Sequence, residues 1–345
     1  MTNWTNLLYH SDCYDAISDL IGNFKERVRL IYIDPPFFSG TDYSLKIKGV
    51  SGKDSFQEQS TYSDTWDGGL DAYLTYMKQR VIKMYDLLSD DGSLWVHLDW
   101  HVSHYVKLML DEIFGYSNFV NEIVWKRTNS PKTQSKGFGA QHDVILLYAK
   151  NTSKFEAKVV LRPHDERSLR PYRYEDEQGR FRLIEIEAQG IQRTEGRKQF
   201  NWRGRTAPYL YKKEILDKWW DEGLIYTSRN QRYSKKQYLS ERPGVPVSDL
   251  WIEIPPVQGA SEEYTGFLTQ KPIALLNRII SSASEENDII ADFFAGSGTT
   301  ALAAESLNRR WILSEISSTS LEVIRKRLGN EITYELRKLR GLENE

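Results

Sequence analysis

A single cysteine, Cys13, stands in 345 residues, which excludes a disulfide framework and any zinc cluster built on several thiolates. No apolar run approaches the ~20 residues that a membrane-spanning helix needs, so a membrane protein is excluded. The opening stretch, Met1-Thr2-Asn3-Trp4-Thr5-Asn6, has neither the basic nor the apolar segment of a secretory leader, and a cytoplasmic location is expected. Internal repeats and low-complexity tracts are lacking as well. So is any strong excess of one charge, the net being -2 from 46 Lys and Arg, 48 Asp and Glu.

That near-neutral total hides an asymmetry. Residues 121–250 hold 26 basic against 17 acidic side chains, so the remainder is acidic. The same segment interleaves Trp125, Tyr172, Tyr174, Trp202, Tyr209, Tyr211, Trp219, Trp220, Tyr226, Tyr233 and Tyr238 with its positive charges. Basic and aromatic residues together suit phosphate contact and base stacking, although an ordinary solvated surface over an aromatic core has the same composition. Three regions follow from texture. In 1–150, strand-like runs (Arg29 to Asp34, Ser93 to Asp99, Asn121 to Trp125, Asp143 to Tyr148) alternate with helical spacing over Asp71 to Leu88 and Val102 to Phe114. Residues 151–250 lose that rhythm. Residues 251–345 restore it, with helices over Pro272 to Ser282 and Thr299 to Leu307 and strands over Asp288 to Asp292 and Arg310 to Glu315. The polar stretch Phe38 to Trp66 reads as one long loop beside a strand end, a plausible lid.

Two motifs carry chemistry. Asp292-Phe293-Phe294-Ala295-Gly296-Ser297-Gly298-Thr299-Thr300 lies between a strand and a helix, where glycines let a ligand approach the backbone. Glu315, closing the next strand about 20 residues on, occupies the position from which an acid binds ribose hydroxyls. Alone, the Gly-x-Gly also reads as a tight structural turn. No Gly-Lys-Ser/Thr follows it, which disfavours a phosphate loop. The second motif, Asp34-Pro35-Pro36-Phe37, ends a strand. Its prolines offer no amide donors, so the site presents acceptors, the Asp34 carboxylate and a proline carbonyl, with Phe37 as a flat stacking face. An exocyclic amino group is the natural partner; a strand merely stopped by Pro-Pro is the plain alternative.

Together these motifs resemble those of the DNA amino-methyltransferases, and the order, tetrapeptide first and glycine loop last, resembles their β class. The texture around His97-Leu98-Asp99 and Asn118 to Trp125 is similar to the methylation subunits of type III restriction systems. Thr269-Gln270-Lys271-Pro272 resembles the segment that helps hold the methionine end of S-adenosylmethionine, and Asp12-Cys13 the one that contacts its adenine. Phe293 stands where that family usually has proline. The resemblance covers about 1–150 and 250–318. It implies an α/β fold: a doubly wound, mostly parallel Rossmann-like methyltransferase sheet with circularly permuted motif order and an inserted target-recognition domain at 151–250. Residues 1–150 would form the catalytic half and 251–345 the cofactor half.

What the resemblance implies for chemistry is a site-specific DNA methyltransferase that moves a methyl group from S-adenosylmethionine to N6 of a flipped-out adenine. Catalysis would fall to Asp34, Pro35, Pro36 and Phe37. Cofactor binding would fall to Asp12, Cys13, Thr269, Lys271, the run Asp292 to Thr300, Glu315 and Ile316, with no metal. Asp before Pro-Pro favours adenine in this class; N4 of cytosine, an RNA base, or a DNA-binding subunit that needs a partner remain as alternatives. Cytosine C5 chemistry needs a cysteine nucleophile, and Cys13 lacks the context. Double-stranded DNA is the expected partner, with a homodimer and a cognate restriction endonuclease left open. His97, His101 and His104 are read as structural, Trp219-Trp220 as core, and Asp143 and Glu122 as structural. Arg325 to Arg327 and Arg337 to Arg340 are read as solvated faces of terminal helical segments.

Overall fold

Strands buried on both faces need nearly unbroken apolar sequence, and Val28–Ile33 and residues 94–98 supply it, each of the latter being buried. They pair in parallel at the heart of a nine-stranded sheet, Ile31 opposite Leu94 and Ile33 opposite Val96. The computed structural model describes residues 4–40, 42–48, 56–128, 137–188, 199–267 and 269–339, with the backbone alone for 42–48 and 56–63.

The sheet strands are β1 (Asn6–His10), β2 (Val28–Ile33), β3 (Leu88–Leu98), β4 (Phe119–Lys126), β5 (His142–Ala149), β6 (Leu250–Trp251), β7 (Ile289–Asp292), β8 (Arg310–Glu315) and β9 (Tyr334–Lys338), in the order β6-β4-β5-β3-β2-β7-β8-β1-β9. β5 runs antiparallel to β3 and β4, and the other neighbours are parallel. Helices α1 (Cys13–Phe24), α2 (Gly69–Leu87) and α3 (Ser103–Phe114) pack side by side, as do α4 (Ile273–Ala283), α5 (Thr299–Ser306) and α6 (Ser318–Leu328). The expected doubly wound, mostly parallel α/β architecture is present. β1, from the start of the chain, pairs with β8 from its far end, Leu8 opposite Leu313 and His10 opposite Glu315. From β7 the chain winds to β8 on one side, and from β2 it winds to β3 on the other. The carboxyl ends of β2 and β7, paired through Leu30 and Ile290, therefore flank the switch point where open α/β sheets bind ligands.

Three local expectations are corrected. The stretch Phe38 to Trp66 is not a plain loop, because Asp42–Lys48 and Phe56–Ser63 form an antiparallel hairpin. Tyr43, Leu45 and Ile47 alternate with polar residues there, a strand period that polarity obscures. Second, Asp90-Asp91-Gly92 does not precede β3 but lies inside it, where the register with β2 shifts between Val28 and Leu30. A Cβ on Gly92 would stand 2.9 Å from the carbonyls of Ser89 and Val28, so the irregularity requires glycine. Third, Arg337 and Lys338 belong to edge strand β9, parallel to β1, and not to a helix; Arg340 lies outside the described residues.

The chain divides into two compact units, Met1–Val160 with Ser248–Glu345, and Leu161–Val247. Residues 151–160 join the larger unit, where the Lys158 amide donates to the Ser282 carbonyl (2.7 Å). The smaller unit holds a four-stranded antiparallel sheet ordered Ile225–Thr227, Tyr233–Tyr238, Gly179–Glu185, Tyr174–Asp176. Beside it, Ile186, Trp202, Ala207, Tyr209, Leu216 and Tyr233 make a core, against which Trp219 and Trp220 pack.

Candidate functional site

The glycine loop after β7 is held by its own acids. The Asp292 carboxylate accepts from the Phe294 amide (3.0 Å) and from the Thr300 hydroxyl at the start of α5. Glu315, at the end of β8, accepts from the amides of Gly296 and Ser317, both 2.8 Å, and so ties two strand ends together. Gly298 sits at φ +76°, and a Cβ there would press within 3.0 Å of Ile324 on α6, so α6 packs against the loop only because the side chain is absent. Arg327, also on α6, donates to the Ser297 carbonyl (2.8 Å), the Ser297 hydroxyl (3.1 Å) and the Thr299 hydroxyl (3.0 Å). The reading of residues 325–327 as a solvated face is thus corrected at Arg327, whose helical position turns it inward. Burial lowers its pKa. Loss of water pushes Asp292 to about 7, against the bonds from Thr300 and Phe294, and pushes Glu315 to about 7, against the amides of Ser317 and Gly296.

At the end of β1, Asp12 caps α1 through the Tyr14 amide (2.8 Å) and receives both of its oxygens' bonds from Arg80 at 2.8 and 2.9 Å. Arg80 also donates to the Cys13 sulfur (3.0 Å) and lies 3.3 Å from the centre of the Tyr76 ring. Burial raises the Cys13 thiol to about 12, which leaves it a poor nucleophile.

The Asp34-Pro35-Pro36-Phe37 turn follows β2 beside the glycine loop. Asp64, fully buried, holds it from behind: its carboxylate accepts from three successive amides, Phe37 (3.1 Å), Phe38 (2.9 Å) and Ser39 (2.7 Å), and from the Ser39 hydroxyl (2.7 Å) and the Trp66 indole (3.1 Å). Phe38 is thereby kept at φ +59°, a conformation uncommon for a non-glycine residue. The Phe37 ring stacks over His97 at 6.2 Å and 19°. His97 is buried, with Nδ1 3.0 Å from the Tyr32 hydroxyl and Nε2 3.2 Å from Asp143. One Asp34 oxygen pairs with Lys271; the other, Oδ1, is enclosed and has no hydrogen-bond partner among the described residues.

A cavity of about 360 Å³ joins these loops, within the size range of ligand sites. Of the residues expected from sequence, Asp34, Pro36, Asp12, Cys13, Thr269, Lys271, Asp292 to Ser297, Thr299, Thr300, Glu315 and Ile316 line it, whereas Pro35, Phe37 and Gly298 do not. Tyr32 and Tyr76 also line it and are not expected from the sequence, as does Trp66, the end of the stretch read there as a lid. Asp64, Arg80 and Arg327 stand behind the wall. Arg80 left a signal, a charge at a core position of α2 in step with Tyr73, Met77, Val81 and Met84. Among the described residues no group of three or more His, Cys, Asp and Glu is placed to hold a metal ion.

A doubly wound sheet with a glycine turn and an acid at each of four adjacent strand ends defines a Rossmann-like enzyme that binds a nucleoside cofactor. The chain belongs to the N6/N4 DNA methylase family, whose profile matches residues 28–326. It is 30% identical to the type II methyltransferase M.EcaI of Enterobacter cloacae, over 94% of this chain and 69% of that protein. It is 26% identical to the StyLTI Mod subunit, from a type III restriction-modification enzyme of Salmonella typhimurium, over 95% of this chain and 55% of the subunit. The chain thus spans about half the length of that type III relative. The cytosine-N4-specific PvuII DNA methyltransferase shares the fold, with a TM-score of 0.51 at 14% identity over 95% of this chain and 89% of its own. No helix among the described residues is long and apolar enough to cross a membrane.

Proposed function

We propose that the protein is a restriction-modification DNA methyltransferase acting on N6 of a flipped-out adenine, with S-adenosylmethionine as donor. The observation that supports this best is the shared cavity: the Asp34 carboxylate lines the same space as the acids and amides of the glycine loop. The donor's charges match that lining, since Glu315 suits ribose hydroxyls, Asp292 suits the positive sulfonium or ammonium, and Asp12 is placed for the adenine end. When bound, the donor supplies an electrophilic methyl group.

An amino group conjugated to a purine ring is a poor nucleophile because its lone pair is delocalised. Asp34 accepts one of its hydrogens and draws the nitrogen toward tetrahedral geometry, which frees the lone pair; the Pro35 carbonyl, next along the turn but outside the cavity lining, would take the second hydrogen only from a base inserted beyond that lining. Asp64 holds the loop so that these acceptors do not wander, and positioning of this kind can lower a barrier by ~7 to 11 kcal/mol. With the lone pair aimed at the methyl group that a bound donor would supply, Asp34 is the group placed to take the amino proton that the product releases. A target inside a duplex cannot reach this turn, so the nucleotide must be extruded, at a cost of a few kcal/mol. The aromatic, basic unit Leu161–Val247 is assigned to target recognition. The buried, high-pKa Cys13 argues against C5 chemistry.

The test is incubation with mixed-sequence duplex DNA and labelled S-adenosylmethionine, then nucleoside digestion. N6-methyladenine is expected. N4-methylcytosine would keep the mechanism and overturn the adenine assignment, and methylation only of RNA would overturn the substrate.

A further inference from the structure

Four carboxylates line the cavity, Asp12, Asp34, Asp292 and Glu315, and among the described lining residues there is one cation, Lys271. Three of the acids are engaged by groups that fix them: Arg80 and the Tyr14 amide on Asp12, Thr300 and the Phe294 amide on Asp292, the Gly296 and Ser317 amides on Glu315. Asp34 differs. Its Oδ2 is covered by the Lys271 ammonium, and its Oδ1 has no partner among the described residues and no exposed surface. As it stands, Asp34 has no oxygen free to meet an incoming amino group.

Lys271 is the group that can move. Its backbone is anchored, the Thr299 hydroxyl donating to its carbonyl (3.2 Å), but its ammonium sits on a flexible four-carbon stem and, among the described residues, has as further acceptor only a marginal contact with the Thr269 carbonyl (3.4 Å). S-adenosylmethionine brings two positive groups, which suit the acids, and one carboxylate, for which this lining offers one cation. We infer that Lys271 exchanges partners, leaving Asp34 for the methionine carboxylate of the cofactor, so that cofactor binding uncovers the acceptor for the target base. The inference rests on the reading of Asp34 as the amino acceptor. It makes the order of events a property of two side chains: without cofactor, Lys271 keeps Asp34 shut.

Linkage is reciprocal: if the cofactor must break the Lys271–Asp34 pair, then removing the Asp34 charge must tighten the cofactor. Calorimetric titration of the whole protein with S-adenosylhomocysteine and with 5′-methylthioadenosine, which lacks the amino-acid end, reads this without DNA or turnover. Asp34→Asn should bind S-adenosylhomocysteine about fivefold tighter, the low end of typical couplings, with 5′-methylthioadenosine unchanged. Lys271→Met should weaken S-adenosylhomocysteine about tenfold and leave 5′-methylthioadenosine unchanged, a loss typical of one charge-assisted contact. In the double variant the effect of Asp34→Asn should vanish. Equal changes for both ligands, no tightening in Asp34→Asn, or tightening that persists without Lys271 would each overturn the exchange. Lys271→Gln, with melting temperatures measured alongside, guards against a misfolded Lys271→Met. Because no methyl acceptor enters, an exchange that holds while DNA yields no N6-methyladenine would separate failure of the function from failure of this inference.

Discussion

The two ends of the cavity hold their loops by opposite means. At the cofactor end, the acids that bind the loop amides, Asp292 and Glu315, are the acids that line the pocket. Ligand binding and loop order are there one set of contacts. At the target end the tasks are divided: Asp64 pins the loop and lies outside the lining, while Asp34 lines the cavity and is paired with the Lys271 ammonium rather than with loop amides. The division suits the ligands. Acids that meet the cofactor can double as ties for their own loop, whereas the acceptor for an extruded base must be releasable, and the partner of Asp34 is a lysine on a flexible stem that can let go.

The sharpest way to break this comparison is at Asp34. Asp34→Ala should lower single-turnover methyl transfer by about 10³-fold, the scale of losing one preorganised electrostatic group, without weakening cofactor binding. A parallel loss of cofactor affinity would mean that the target end is also structural. Asp64→Asn is next. An amide has one acceptor oxygen and would aim donors at the donors of Phe37, Phe38 or Ser39, so the loop should loosen. Expected are a fall of about 10² in transfer rate, from loss of positioning, and about 1 to 3 kcal/mol in stability. Cofactor affinity should stay within about twofold, on the same division of tasks.

The cofactor end should behave otherwise. Glu315→Gln keeps shape but weakens the grip on the Gly296 and Ser317 amides and on any ribose. Affinity for S-adenosylhomocysteine should drop about tenfold, and the melting temperature of the unliganded protein should change in the same variant. Affinity lost with no change in melting would show that the acid serves the ligand alone and would blur the contrast with Asp64.

How much of this could be read from the residues follows the same line. Asp292 to Thr300, Glu315 and Asp34 to Phe37 are contiguous runs at strand ends, where local backbone needs dictate residue type, and so they are legible. Asp64 is not: it is one acid 30 residues from Asp34, across a hairpin whose polar sequence conceals its strand period. Arg327 is not legible either, because a basic run at a helix end usually faces water, and only the packing of α6 on Gly298 turns one of its three members inward. Lys271 was legible as a cofactor residue but not as the partner of Asp34, 237 positions away. Unit Leu161–Val247 gave little beyond composition, because short strands around an aromatic core leave no long periodic run.

The smallest expected effect is in pH, and it too separates the two ends. Burial raises Asp292 and Glu315 to about 7 in the unliganded fold, well above the ordinary carboxylate values of 3.8 and 4.5. Raised acids hold protons in the fold that the unfolded chain has lost, so these two groups cost stability increasingly from about pH 4 to 7 and by a constant amount above. Ribose hydroxyls and a positive sulfonium favour the ionised carboxylates, so cofactor binding should expel protons below pH 7. Affinity should therefore climb between pH 6 and 7, by at most about tenfold per proton released, and level off above about 7.5. Titrations in buffers of different ionisation heat count the protons directly. Glu315→Gln should remove its share of the slope, whereas Asp64→Asn should leave the slope intact because Asp64 lies outside the lining. An affinity flat across this range would mean that these acids bind the cofactor without changing protonation, and the electrostatic account of the cofactor end would fall.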